Sequence, residues 1–179
     1  MQATSSHAET QPEQSRTRSG PIVIAYDGSQ AAENALREAG PLLAGSSALV
    51  LVVWKAGLAF GLMGLPTAAI GLPPPTIDVR TALDIDRRMF ESAQRTAERG
   101  AQLARVVGFG EAEPLVVAEE PEITIAETIV AIASERDARA IVVGAHGHSR
   151  LGEAILGSTS RDVIRHAGQP VVVAPSPRG

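Results

Sequence analysis

Short apolar runs alternate with amphipathic stretches along most of this chain, and no hairpin signal separates one run from the next. Five runs are rich in β-branched residues, as buried strands are: Ile22–Ala25, Ala48–Trp54, Leu115–Ala118, Ala140–Val143 and Pro170–Ala174. Between them, apolar residues recur at helical spacing from the Ser29 cap to about Leu43 and over Leu83–Val107, Ile123–Ser134 and Ser158–His166. Strands joined by helices pair in parallel. The alternation therefore predicts an α/β fold, with an open, doubly wound, five-stranded parallel sheet and helices on both faces.

The composition indicates one folded domain that follows a polar tail. The chain has 179 residues, slightly more than the typical domain of about 150, and 44% of them are hydrophobic, which is enough to close a core. Residues 1–20 lack the apolar centre of a secretory signal. We therefore expect a disordered N-terminal tail over residues 1–20, a single domain over residues 21–179 and a cytoplasmic location.

Charge and residue usage exclude several classes of function. The formal net charge of −4 gives no general attraction to nucleic acids or anionic membranes, and only 3% of residues are aromatic, too few for a base-stacking surface. No cysteine is present, which excludes disulfides, thiolate zinc sites and thiol catalysis. No uninterrupted apolar stretch reaches the ~20 residues of a membrane span. We expect neither a nucleic-acid nor a membrane partner.

A long connection rich in glycine and proline follows the second apolar run. It extends over residues 56–80, and its Ala56–Thr76 part contains Pro73, Pro74 and Pro75 in succession. Loops longer than about 15 residues in compact domains are usually functional lids or disordered segments. The residues leave both interpretations open for this lid-like loop.

The fourth apolar run leads into a glycine-dense segment that ends in three hydroxyl residues. In a doubly wound sheet, ligands bind beyond the carboxyl ends of the strands, which here means just after Ala25, Trp54, Ala118 and Val143. Glycines allow successive backbone N–H groups to face an anion, and the start of the helix at Ser158 adds the positive end of its dipole. The segment from Gly144 to Ser160 thus has the chemistry of a triphosphate cradle. The alternative is a strand-to-helix turn that needs glycine and a serine cap for structure alone.

The spacing in this segment resembles that of a known family. Nucleotide-binding members of the universal stress protein family carry G-x-x-G, nine further residues and then G-[ST], which Gly144, Gly147, Gly157 and Ser158 match. The resemblance continues through Ile22–Ser29 and the last apolar run. It implies an adenine nucleotide alpha-hydrolase-like, Rossmann-like domain that holds ATP with Mg²⁺, and a homodimer formed through the C-terminal strand.

The same resemblance implies a set of site residues. The adenine is expected near Ala25 and Val53, and Asp27 is expected at the ribose or at a phosphate-bound Mg²⁺, which makes it the candidate metal residue. The phosphates are expected over Gly144, Ala145, His146, Gly147, His148, Ser149, Arg150, Gly157, Ser158, Thr159 and Ser160.

Other motifs are incomplete. The P-loop pattern fails because Glu153 follows Gly152 where a lysine is needed, and Gly28 alone does not make a dinucleotide fingerprint. His146 and His148 have no third ligand in view and are interpreted as polar loop residues.

We therefore expect a regulatory, ATP-binding stress-response protein whose protein partner is unknown and whose loop closes over nucleotide. The alternatives are a slow ATPase or nucleotide-transferring enzyme on the same fold, and a nucleotide-free interaction protein with a vestigial motif.

Overall fold

The computed structural model describes residues 18–57, 61, 78–145 and 156–174. Its strands are β1 (Ile22–Ala25), β2 (Ala48–Trp54), β3 (Ala112–Ala118), β4 (Ala140–Gly144) and β5 (Val171–Ala174). Its helices are α1 (Gln30–Leu42), α2 (Val79–Val106), α3 (Ile125–Glu135) and α4 (Ser158–His166).

All five strands lie in one parallel sheet with the order β3-β2-β1-β4-β5. Ile22 at the start of β1 pairs with Ala48 of β2 on one side and with Ala140 of β4 on the other. The chain moves outward from β1 to β2 and β3 and then crosses to β4 on the opposite side of β1. The order of the strands therefore reverses between β1 and β4, and the predicted α/β fold is confirmed.

Helices cover both faces of the sheet, and successive strand side chains enter two different cores. On one face, Ile24 of β1 belongs to a buried cluster with Leu36 of α1 and Ala101 of α2. On the other face, Val23 belongs to a cluster with Ile129 of α3, which also includes a residue of α4. Because helices cover both faces of the sheet, the central strands are continuous runs of apolar residues rather than alternating apolar and polar residues.

The long helix α2 begins earlier than the periodicity predicts. It starts at Val79 rather than near Leu83, because an Asp78 carboxylate oxygen accepts the Thr81 N–H at 2.7 Å and caps the helix. Residues 79 and 80, the last two of the expected loop, are therefore helical. Apart from residues 56, 57, 61 and 78, the remainder of that loop lies outside the described residues, and with it the expectation that the loop is a lid.

Strand β3 is also longer than the apolar run that predicts it. It begins at Ala112 rather than Leu115, because it pairs with β2 in register from Ala48 opposite Ala112 to Trp54 opposite Ala118. Its three additional residues are an alanine, a glutamate and a proline, of which the last two are tolerated because β3 is an edge strand.

Residues 18–20, which we expected within the disordered tail, are anchored at the amino end of the sheet. The Gly20 N–H donates to the Asp137 carbonyl at 3.0 Å, and the Ser19 N–H donates to the Asp137 carboxylate at 3.3 Å. An Arg18 guanidinium nitrogen lies 3.4 Å from the Gly168 carbonyl. Residues 1–17 lie outside the described residues. None of the described helices combines the length and apolar character that a membrane crossing requires.

Candidate functional site

A cavity of about 270 Å³ opens at the carboxyl ends of β1, β2 and β4. It lies where the strand order reverses, which is the position at which doubly wound sheets bind ligands. Its wall is formed by three parts of the fold: the turn after β1, the apolar side chains that lie between the sheet and α3, and the N-terminus of α4.

The turn after β1 forms the polar rim nearest the sheet. Asp27 is exposed, and one of its carboxylate oxygens accepts the Ser29 N–H at 2.9 Å. The Ser29 hydroxyl oxygen in turn accepts the Ala32 N–H at 3.2 Å and caps α1. Gly28 makes the turn with a φ of +76°, in the region that favours glycine. The turn therefore holds Asp27 at the cavity.

The two ends of the glycine-dense segment meet at the same cavity. The Gly157 N–H donates to the Ala145 carbonyl at 2.7 Å, and the Ala145 N–H donates to the carbonyl of Ala174 at 3.0 Å. A side chain at Gly144 would lie 2.9 Å from the Ala31 carbonyl oxygen, so the end of β4 can approach α1 only with glycine. The predicted phosphate residues His146–Arg150 lie outside the described residues.

Helix α4 begins at the cavity without a side-chain cap. Its N-cap residue is Gly157, which has no side chain to accept from the first turn, whereas the other three described helices are capped by Ser29, Asp78 and Thr124. The backbone N–H groups of this first turn carry the positive end of the helix dipole. An anion in the cavity would therefore meet unsatisfied donors.

The three hydroxyl residues of α4 differ in what they can offer to a ligand. Ser158 is exposed and Thr159 is half-buried, and both line the cavity. Ser160 is buried, and its hydroxyl donates to the Gly144 carbonyl at 2.6 Å. Because a serine hydroxyl has one hydrogen, that of Ser160 joins α4 to β4, and only its oxygen remains to accept a further bond.

The far wall of the cavity is apolar. Val53 and Val143 line it from the strands, together with Leu51, and Ile125 and Ile129 line it from α3. Only Val53 of these five was among the predicted site residues, because an apolar residue of a buried strand or helix carries no local signal that distinguishes a ligand wall from a core. Only the placement of α3 beside β1 and β2 identifies them.

The start of α3, and with it the position of Ile125, is set by a capping box. The Thr124 hydroxyl oxygen accepts the Glu127 N–H at 3.2 Å, and the Glu127 carboxylate accepts the Thr124 N–H at 2.8 Å. The Thr124 backbone N–H, and to a lesser extent the Thr124 hydroxyl, hold the pKa of Glu127 below its ordinary value, because both bonds favour the charged carboxylate.

The structure brings most of the predicted site residues together. The predicted residues that line the cavity are Ala25, Asp27, Val53, Gly144, Gly157, Ser158, Thr159 and Ser160. Ala145 is buried beside them, in the bond to Gly157. Within the described ranges, no three residues of the metal-ligating types His, Cys, Asp or Glu are grouped closely enough to hold an ion.

The architecture is that of the doubly wound α/β domains, with a cavity at the reversal of the strand order. The family model described as "Universal stress protein family" matches residues 71–175, more than half of the chain. The chain belongs to the universal stress protein family, as its glycine spacing predicts.

Individual relatives agree with this assignment. The chain is 30% identical over 90 residues to Universal stress protein MJ0577 of Methanocaldococcus jannaschii, a match that covers 50% of this chain and 52% of the relative. The matched region thus spans about half of that curated relative's length. The solved structure of hypothetical protein MJ0577 has the same fold, with a TM-score of 0.66 at 23% identity, over 89% of this chain and 98% of that one.

A second solved structure is that of the universal stress protein from Archaeoglobus fulgidus in complex with dAMP. It is 27% identical to this chain, with a TM-score of 0.53, and the comparison covers 87% of this chain and 98% of that one.

Proposed function

We propose that this chain binds ATP together with Mg²⁺ in the cavity at the ends of β1, β2 and β4, and acts as a nucleotide-dependent regulatory factor in a stress response. The observation that carries the proposal is the chemistry of the cavity walls: an apolar wall on α3 and the strands, and an uncapped helix N-terminus across from it. A base suits the first wall, and phosphates suit the second. The A. fulgidus relative with dAMP supports an adenine nucleotide as the ligand class.

Within this proposal the base lies against Ala25 and Val53, and the phosphates lie over the residues from Gly144 to Arg150 and at Gly157–Ser160. Asp27 is the one carboxylate among the described residues that line the cavity. Magnesium in nucleotide sites is commonly held by one or two carboxylates together with the phosphates of the ligand, so a single carboxylate fits the proposed ion. Mg²⁺, when bound, neutralises phosphate charge.

Thermal and chemical unfolding with and without Mg-ATP tests the proposal. A ligand present at about 100 times its Kd adds roughly 2.7 kcal/mol to the free energy of unfolding. Adenosine, ADP and GTP in place of ATP define which part of the ligand is recognised. An unchanged unfolding curve with every adenine ligand would favour the alternative of a nucleotide-free interaction protein.

A matched pair of variants locates the ligand. Val53→Phe fills part of the cavity from a half-buried position, and it is expected to weaken ATP binding by about tenfold or more while leaving the unliganded fold intact. Val106→Phe makes the same change at a residue that is 82% exposed at the far end of α2, and it is expected to leave binding unchanged. Equal affinities for the two variants would place the ligand elsewhere.

Phosphate release at steady state separates a regulatory binder from the enzymatic alternative. Binding without turnover above the background rate is the expected result. Sustained release that Val53→Phe abolishes would identify a slow ATPase instead.

A further inference from the structure

One positively charged side chain lies next to the proposed ligand site without lining it. The Arg99 guanidinium of α2 comes within 2.9 Å of the point at which a Cβ on Gly28 would lie. Gly28 is the centre of the turn whose flanking residues, Asp27 and Ser29, form the rim of the cavity. Arg99 therefore lies behind the turn, on the α1–α2 side of the sheet.

Close packing between α2 and the end of β1 brings Arg99 to this position. A Cβ on Gly100 would lie 2.7 Å from the ring of Tyr26 and 2.8 Å from the side chain of Val50. Because only glycine leaves that space, α2 lies directly against Tyr26, the residue that follows β1. The neighbouring Arg99 is then held beside the turn by the helix backbone rather than by a bond of its own side chain.

Arg99 has no acidic partner at pairing distance along α2. The residues three and four positions away on the helix are Arg95, Thr96, Gln102 and Leu103, none of which is acidic. Among residues 18–57, 61, 78–145 and 156–174, no ion pair or hydrogen bond includes the Arg99 side chain, whereas Arg95 is paired with Glu91.

A phosphate ligand brings several negative charges into this cavity, and none of the described lining residues has a positively charged side chain. A positive charge on the other side of the short turn after β1 attracts those phosphates. The Debye length is about 10 Å at 0.1 M salt, so the effect of such a charge reaches across a turn but is partly screened.

We propose that Arg99 is a positioning residue that sets the charge preference of the site, favouring phosphate-bearing adenine ligands over the uncharged nucleoside. The inference rests on the proposed nucleotide site and deepens it by naming a residue, outside the cavity, that discriminates between ligands by charge.

Isothermal titration of the full chain with ATP and with adenosine tests this proposal. Arg99→Gln is expected to weaken ATP binding by about threefold to fivefold at low salt, the range typical of a partly exposed charge, and to leave adenosine binding unchanged. The loss should shrink at 0.5 M salt, and Arg99→Lys should retain the preference for ATP.

Arg136→Gln is the matched control, because it removes the same charge from an exposed arginine at the opposite end of the sheet. It is expected to keep the wild-type ratio of the two affinities. If Arg99→Gln weakens the binding of ATP and of adenosine equally, the role of Arg99 is purely structural. That result, or no change in the binding of either ligand, would overturn the inference about Arg99 but not the proposed function. Failure of the wild type to bind any adenine ligand would instead overturn the proposed function, and the inference with it.

Discussion

Asp27 has two roles in the proposed site, as a hydrogen-bond acceptor and as a negative charge. Replacing one carboxylate oxygen by an amide nitrogen separates them. Its carboxylate accepts the Ser29 N–H at 2.9 Å, and its charge faces the proposed phosphates. Asp27→Asn keeps an oxygen to accept that bond but removes the charge. We expect the variant to weaken ATP binding about fivefold in Mg²⁺, because an ion ligand is lost, and to strengthen it in EDTA, because a like charge is removed.

Titration of the variant with ATP, in Mg²⁺ and in EDTA, measures these changes, and the direction of the change in affinity is the informative result. A shift in the same direction with and without Mg²⁺ would mean that Asp27 does not act through the ion. The amide oxygen still accepts the Ser29 N–H, so the bond that closes the turn should persist in the variant.

Gly28 and Gly45 form a natural comparison, because both have a positive φ, +76° and +74°, but differ in their surroundings. Gly45→Ala meets no atom within 4 Å, so its cost, about 1 kcal/mol, comes from the backbone alone. Gly28→Ala has the same backbone cost, displaces the flexible end of Arg99 and also meets the Thr96 methyl group at 3.2 Å.

We therefore expect a loss of unfolding free energy in urea for both variants, somewhat larger for Gly28→Ala, but a lower preference for ATP over adenosine in Gly28→Ala only. A Gly28→Ala protein with the wild-type ligand preference would indicate that Arg99 does not act through this turn.

At the scale of elements, the capping box of α3 predicts a dependence of stability on pH. The folded-state pKa of Glu127 is lowered by its bonds to Thr124, so its contribution is fully present above the ordinary glutamate pKa of about 4.3 and is lost as the pH falls through the lowered folded value. The difference in unfolding free energy between the wild type and Glu127→Gln should be constant near neutral pH and shrink in acid.

Glu135→Gln removes a carboxylate from the last residue of the same helix and serves as the control. Urea unfolding between pH 3 and pH 7 measures both variants. A stability difference for Glu127→Gln that does not change over this range would contradict the assigned role of the box.

The sequence predicts the first and last residues of those strands and helices whose bounds depend only on their own residues. The bounds of β2 and α4 follow from their own residues and agree with the structure. The first residues of β3 could not be predicted, because Glu113 and Pro114 disfavour a strand and are extended only through pairing with β2. The early start of α2 did have a signal, the capping residue Asp78, that the periodicity of the apolar residues did not include.

At the scale of the whole molecule, the site could be predicted only in part. Its polar residues stand out because Asp27 and the glycines near residue 144 follow strands. Its apolar wall does not, because Leu51 and Ile129 are 99% and 98% buried like ordinary core residues and come together only when α3 packs on the sheet.

Among the described strands β5 lies at one edge of the sheet, and this edge predicts how two copies associate. The Ile141 N–H donates to the Pro170 carbonyl and the Ala145 N–H to that of Ala174, so alternate residues of β5 bond to β4. The backbone groups of Val171 and Val173 are thereby left at the edge of the sheet. An edge of this kind favours pairing with a second copy, and we expect a homodimer by light scattering after gel filtration.

Val173→Pro removes a donor from that edge without removing a bond to β4, so it is expected to yield a monomer that still melts cooperatively. Val173→Thr retains the N–H and should remain dimeric. A wild type that is monomeric across a hundredfold range of concentration would refute pairing through β5.

The bonds that tie Ser19 and Gly20 to Asp137 fix the first described residues at the amino end of β1, with the length of the sheet between them and the cavity. Ser19 is exposed at this end. Because the chain has no cysteine, Ser19→Cys offers a single thiol at which a fluorophore lies on the side away from the ligand entrance during binding measurements.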